Sequence, residues 1–135
     1  MPSSIFELTS SVAVAPISAK SRPVTAATDA ATTLTAAQCV QGIVTMTPTA
    51  GRALTTPTGA DLKTFFDGRL EIGASFELTV VNVAAATYAI TLTAAASGIT
   101  LGGVAGMATV AAASSATYVF VCTAIGTPAF TVYRK

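Results

Sequence analysis

The chain has 135 residues, of which 52% are hydrophobic and only 10% charged, against about 25% charged in an average soluble domain. That length holds one domain with one core and is too short for two. The net charge is +1 with Lys and Arg scattered singly, which excludes the clustered cations that a nucleic-acid partner or an anionic membrane surface requires.

Residues 1–31 read as an extended N-terminal arm. Pro2, Pro16 and Pro23 interrupt any long helix or central strand, because proline lacks the amide donor. Ile5, Phe6, Leu8, Val12, Val14 and Ile17 nevertheless make the arm too apolar for a plain linker. These six are the candidate contacts to a neighbouring subunit, made by a segment that orders on contact.

Residues 32–135 read as an all-β domain of about eight short strands with one short helix, a sandwich or barrel. Strands are expected over Thr33–Ala37 and Val40–Thr47, with Gly42 marking a bulge or a close backbone approach. A turn over Pro48–Gly51 leads to a short strand at Arg52–Thr55. The one helix is expected at Thr58–Phe66, capped by Thr58 with Asp61 at the capping-box position and closed by Gly68. Leu62, Phe65 and Phe66 give it an apolar face.

Further on, Phe76, Leu78 and Val80 alternate with polar neighbours over Ser75–Val81, as do Tyr88, Ile90 and Leu92 over Thr87–Thr93. Side chains on a strand alternate faces, so each strand has a buried face and one covered by Thr. The Asn82–Ala86 connection reads as the turn of a hairpin joining them. Strands at Ile99–Leu101, Met107–Ala111, Thr117–Thr123 and Ala129–Tyr133 complete the set, the last with Phe130 and Val132 inward. Tyr88, Tyr118 and Tyr133 alternate with core positions and read as packed. The alanine runs 84–86 and 111–113 read as loops, or as places where another chain packs close.

No charged residue stands between Glu77 and Arg134. A monomer of this size exposes roughly 6,500 Å², so thirteen charges leave about one per 500 Å². Such a surface is hidden in part by other subunits or kept soluble by hydroxyls. Arg52, Arg69 and Arg134 stand singly, as a solvated rim or in intersubunit pairs. The charge-free stretch 99–122 is broken by Gly and Ser and alternates, which argues against a membrane span of about 20 apolar residues. Nor does the N-terminus read as a secretory signal, since no cation precedes Lys20 and Glu7 interrupts the first apolar stretch. Cys39 and Cys122 permit at most one disulfide, and their apolar surroundings favour two reduced core thiols.

Catalytic residues, metal ligands and cofactor-binding motifs are not expected. Histidine is absent, which removes the commonest general base and metal ligand. Two Cys without His cannot complete a zinc site in one chain, and no Asp-rich loop offers calcium its oxygens. Asp67 and Glu71 flank Gly68 and read as a solvated helix end. The glycines at 98, 102, 103 and 106 have neither the following cation nor the helix of a phosphate loop.

The run Leu34-Thr-Ala-Ala-Gln-Cys-Val-Gln-Gly-Ile-Val-Thr-Met-Thr-Pro and the run Leu54-Thr-Thr-Pro-Thr-Gly-Ala-Asp-Leu resemble small structural proteins of tailed phages and large DNA viruses. Ile72-Gly-Ala-Ser-Phe-Glu-Leu-Thr-Val-Val-Asn, Tyr88-Ala-Ile-Thr-Leu-Thr-Ala and Phe130-Thr-Val-Tyr-Arg extend the likeness to the C-terminal end. The resemblance implies a capsid decoration (cement) or capsid-fibre protein with a jelly-roll-like domain that forms a homotrimer. It also implies the major capsid protein as partner, and a protein made in the host cytoplasm and carried on the virion surface. Two alternatives stand beside it: a receptor-binding or fibre-head module for host glycans, and a penton or other minor capsid protein.

Overall fold

The computed structural model describes residues 21–103 and 106–135. Ten short strands carry most of the structure: β1 (Val24–Ala26), β2 (Thr32–Thr33), β3 (Ile43–Met46), β4 (Arg52–Thr55), β5 (Ser75–Asn82), β6 (Ile90–Thr93), β7 (Ile99–Leu101), β8 (Thr109–Val110), β9 (Ser114–Ala124) and β10 (Ala129–Arg134). Two helices, α1 (Ala36–Cys39) and α2 (Gly59–Phe66), interrupt them. The strands form a six-stranded sheet in the order β1-β3-β5-β9-β10-β7 and a four-stranded sheet in the order β2-β4-β6-β8. The protein is therefore a mostly β-sheet molecule of two mixed sheets with minor helix.

The route of the chain explains the mixture. From β1 to β9 each successive strand lies in the opposite sheet, so the chain winds between the two layers. Strands of successive windings then run the same way: β1, β3 and β5 pair in parallel, as do β2, β4 and β6. Among the described residues only β9 and β10 are consecutive strands paired with each other; they are antiparallel, with an irregularity between Cys122 and Ala124. The hairpin expected across Asn82–Ala86 does not form, because β5 belongs to the larger sheet and β6 to the smaller. The connection changes layer instead of doubling back. Jelly rolls are built from antiparallel strands, whereas β1 to β6 here are linked by parallel pairs.

Period-two alternation sets which side of each strand is buried. On β5 and β9 the facing pairs Phe76 and Phe120, Leu78 and Tyr118, and Val80 and Ala116 point inward. The Phe76 and Phe120 rings stack at 4.7 Å, and Phe130 meets Phe76 edge-on at 6.1 Å. Leu54, Ile90, Leu92 and Val110 of the smaller sheet join the same hydrophobic cluster. Each fully buried side chain of this size contributes on the order of 1.5–3 kcal/mol. Cys39 and Cys122 are both free and buried in this core.

Asn82 ties the layers together. Its side chain is buried at the end of β5, where Nδ2 donates to the carbonyls of Tyr88 (2.8 Å) and Val110 (3.0 Å). Its Oδ1 accepts from the Ala84 amide at 3.0 Å, so the buried amide is satisfied on both sides.

Both helices start on a capping box. Thr58 accepts from the Asp61 amide and Asp61 accepts from the Thr58 amide, as the sequence predicts for α2. The helix ends where Asp67 and then Gly68 adopt left-handed backbone (φ 48° and 78°). Phe65, expected on its apolar face, is 41% exposed while Leu62 is buried. Where a strand over Thr33–Ala37 is expected, β2 stops at Thr33 and α1 begins after Thr35. The reason is a second capping box, Thr35 with Gln38, which satisfies two amides that a strand would have left to a ladder partner. Gly42, after α1, makes the close approach expected of it: a Cβ there would collide with the Gln38 carbonyl oxygen.

The expected strand at Met107–Ala111 shrinks to Thr109–Val110. Of the tyrosines expected to pack, Tyr118 is buried, whereas Tyr88 and Tyr133 stand out of the surface. Part of the segment read as an arm is woven into the sheet: β1 pairs with β3, and Asp29 receives Arg52 at 2.7 Å.

Candidate functional site

The core uses up the large apolar side chains, so the chemistry that remains is on the two outer sheet faces and at the edges. All four edge strands, β1, β7, β2 and β8, are only two or three residues long. Edges this short give another chain little to pair with, which leaves the faces as the surfaces able to meet a partner.

On the outer face of the six-stranded sheet the register sets Ile43, Thr79 and Thr117 side by side. Thr45, Val81 and Ser115 form a second cross-strand row, and Glu77, Val119 and Tyr133 a third. Glu77 is the one charged side chain that these strands place on the face, and Lys135 pairs with it at 3.0 Å. Thr79 and Thr117 share a hydroxyl hydrogen bond at 3.0 Å. Arg22 lies at the side of this face, donating to the carbonyls of Gln41 and Gly42 and to Thr79 Oγ1. The nine residues of these rows cover on the order of 300 Å² at standard strand spacings.

The outer face of the four-stranded sheet carries hydroxyls. Thr33, Thr55 and Thr93 are cross-strand neighbours, and Thr91 lies beside Thr109. At the Thr33 end, a shallow groove of about 540 Å³ opens between the β2–α1 connection and α2. Leu34 lines it from the core side; Thr33, Thr35, Ala36, Asp61, Thr64 and Phe65 form the rest.

Ionisable groups elsewhere have structural roles. Asp29 accepts from Arg52 Nε at 2.7 Å and from Thr49 through both its hydroxyl and its amide. These bonds, Arg52 first, hold its carboxyl down at about 2. Burial pushes the Cys39 thiol far up, so it stays protonated and unreactive at neutral pH. Burial also raises the Tyr118 hydroxyl, against the opposing pull of Arg134, and that hydroxyl donates to the Met107 carbonyl at 2.9 Å. Arg134 donates to the carbonyls of Met107 and Thr109, and Arg69 to that of Phe66.

No three metal-ligating side chains gather among the described residues, and no helix there is long and apolar enough to cross a membrane. The arm contacts expected at Ile5, Phe6, Leu8, Val12, Val14 and Ile17 lie outside the described residues. The groove escapes a reading of the sequence because Thr33 and Phe65 meet only in space. One signal was legible: Thr35-Ala-Ala-Gln38 is a capping-box pattern and marks the turn that forms one wall. Compared with known proteins, the chain matches no family model, no curated protein and no solved structure.

Proposed function

We propose that the protein is a non-enzymatic structural component of a virion, a decoration protein that binds the outer capsid surface as a homotrimer. The observation that carries this reading is the outer face of the six-stranded sheet, a Val- and Thr-covered surface whose one strand-borne charge is already paired. A face of about 300 Å² with so little charge is the size of the largest patches that monomers leave open, patches that are often functional. Docking it removes Val81, Val119 and Val121 from water, and the charges at the face are already engaged, Glu77 with Lys135 and Arg22 with Thr79 and two carbonyls. A protein that cements many equivalent sites needs complementary surface and no chemistry, and two sheets over one core supply a rigid support for it. In this reading the domain is jelly-roll-like in its layering. The arm residues Ile5, Phe6, Leu8, Val12, Val14 and Ile17 meet the capsid or a neighbouring subunit.

The test is the native mass of the full chain by light scattering, followed by co-sedimentation with capsids from the same source. A trimer that saturates capsids at a fixed ratio is expected. A monomer, or an oligomer that ignores capsids, overturns the proposal. Val121→Lys, on the outer face, is expected to weaken self-association at least tenfold with the fold intact by circular dichroism; unchanged association removes this face from the interface. Deleting residues 1–20 is expected to weaken capsid binding while the domain stays folded.

A further inference from the structure

The groove beside α2 has a chemistry that association through the other sheet does not use. Helical spacing puts Asp61, Thr64 and Phe65 on one side of α2, at i, i+3 and i+4. Phe65 is exposed, yet its ring is held: it meets Phe66 edge-on at 5.7 Å, and Phe66 packs at 5.8 Å from the core ring of Phe76. The ring is thus a fixed apolar platform at the groove wall. Asp61 uses Oδ2 to cap the helix, and its Oδ1 has no hydrogen-bond partner among the described residues. The Thr33 and Thr64 hydroxyls likewise have none there, and the Thr35 hydroxyl accepts from Gln38 while its own proton is unused.

No cation lines the groove. Lys63 of the same helix is engaged elsewhere, donating to the Ile125 carbonyl at 3.1 Å. A phosphate, sulfate or carboxylate would meet the Asp61 carboxylate with no counter-charge, so anions are disfavoured. An ammonium group would find one aromatic wall where cation recognition uses a cage of several. What fits is a neutral ring with hydroxyl donors for Asp61 and Thr, and a C–H face to lie on Phe65. The groove volume lies within the range of small-molecule sites. Thr33 of the groove is also the first of a cross-strand row on the outer face of the four-stranded sheet, where Thr55 and Thr93 follow it in a line of hydroxyls at about 4.8 Å per strand.

We infer that this groove and its threonine track form a binding site for a neutral oligosaccharide, with one pyranose seated on Phe65 and further units along Thr55 and Thr93. The site stands apart from the proposed association face, and either can fail without the other.

The test titrates the full chain with methyl glycosides of glucose, galactose, mannose and N-acetylglucosamine and their short oligosaccharides, followed by NMR. At least one glycoside should bind with Kd on the order of 1 mM, ordinary for about a dozen non-hydrogen atoms, and longer chains should bind more tightly. Phe65→Ala and Asp61→Asn, the latter retaining a capping oxygen, should each weaken binding at least tenfold. Thr55→Val should remove the gain with chain length while leaving the monosaccharide affinity unchanged. Val121→Lys should leave all of these values alone. The inference is overturned if no neutral glycoside saturates, if Phe65→Ala binds as well as the parent, or if only sialic acid or tetramethylammonium binds.

Discussion

Replacing Asn82 by Ala tests whether a single amide locks the two layers together. The substitution removes three hydrogen bonds of 2.8–3.0 Å. Water can reach the Tyr88 carbonyl at the surface and the Val110 carbonyl keeps its ladder partner Ile90, but the Ala84 amide is left buried without a partner. Each unsatisfied buried group costs about 1–3 kcal/mol, and the small void adds to it. The expected loss is about 2–3 kcal/mol, a large part of the ~5–15 kcal/mol that holds a domain folded. With a urea slope of about 1.5 kcal/mol/M, the unfolding midpoint should fall by about 1.3–2 M at constant slope. Asn82→Asp keeps an acceptor for Ala84 but sets a carboxylate against two carbonyl oxygens, so it should lose at least as much. A midpoint shift below about 0.5 M for Asn82→Ala, equivalent to less than ~1 kcal/mol, would refute the idea that this side chain joins the sheets.

Two further substitutions probe the turn after α1 and the Asp29 cluster. Gly42→Ala should destabilise by about 1–3 kcal/mol, because the added methyl meets the Gln38 carbonyl and the backbone must shift at the start of β3; chemical denaturation measures it, and a neutral result would mean the turn has slack. Asp29→Asn should flatten part of the acid dependence of stability. The folded carboxyl sits at about 2 against an ordinary 3.8, so its contribution is present above the ordinary value and is lost as pH falls through the folded one. The melting-temperature difference between parent and variant should be constant above about pH 4 and vanish toward pH 2. It should also be small, since the pair is about one-third exposed and screened. A difference that persists unchanged to the lowest pH would show that these bonds do not form in solution.

Local sequence patterns set which side of each strand is buried and where α2 starts. Phe76, Leu78, Val80, Phe130 and Val132 are inward because apolar residues at period two can satisfy burial on only one face. Thr58 and Asp61 fixed the start of α2 because a capping box is closed within four residues. The same local logic would have found α1 from Thr35 and Gln38, where a short apolar run was read as strand. What the tertiary structure alone decided is which strands are neighbours. The Asn82–Ala86 segment is short and apolar enough for a hairpin, yet it carries the chain across the core, and the parallel order of β1 to β6 follows from the repetition of such crossings at every connection. A connection of a few residues has the same composition whether it reverses within a sheet or steps between sheets. The choice is made by long-range burial, in which Asn82 reaches Val110 of the other layer. The groove has the same origin. Thr33 and Phe65 carry no local signal of one another, and only the packing of α2 against the end of β2 makes them face a common space.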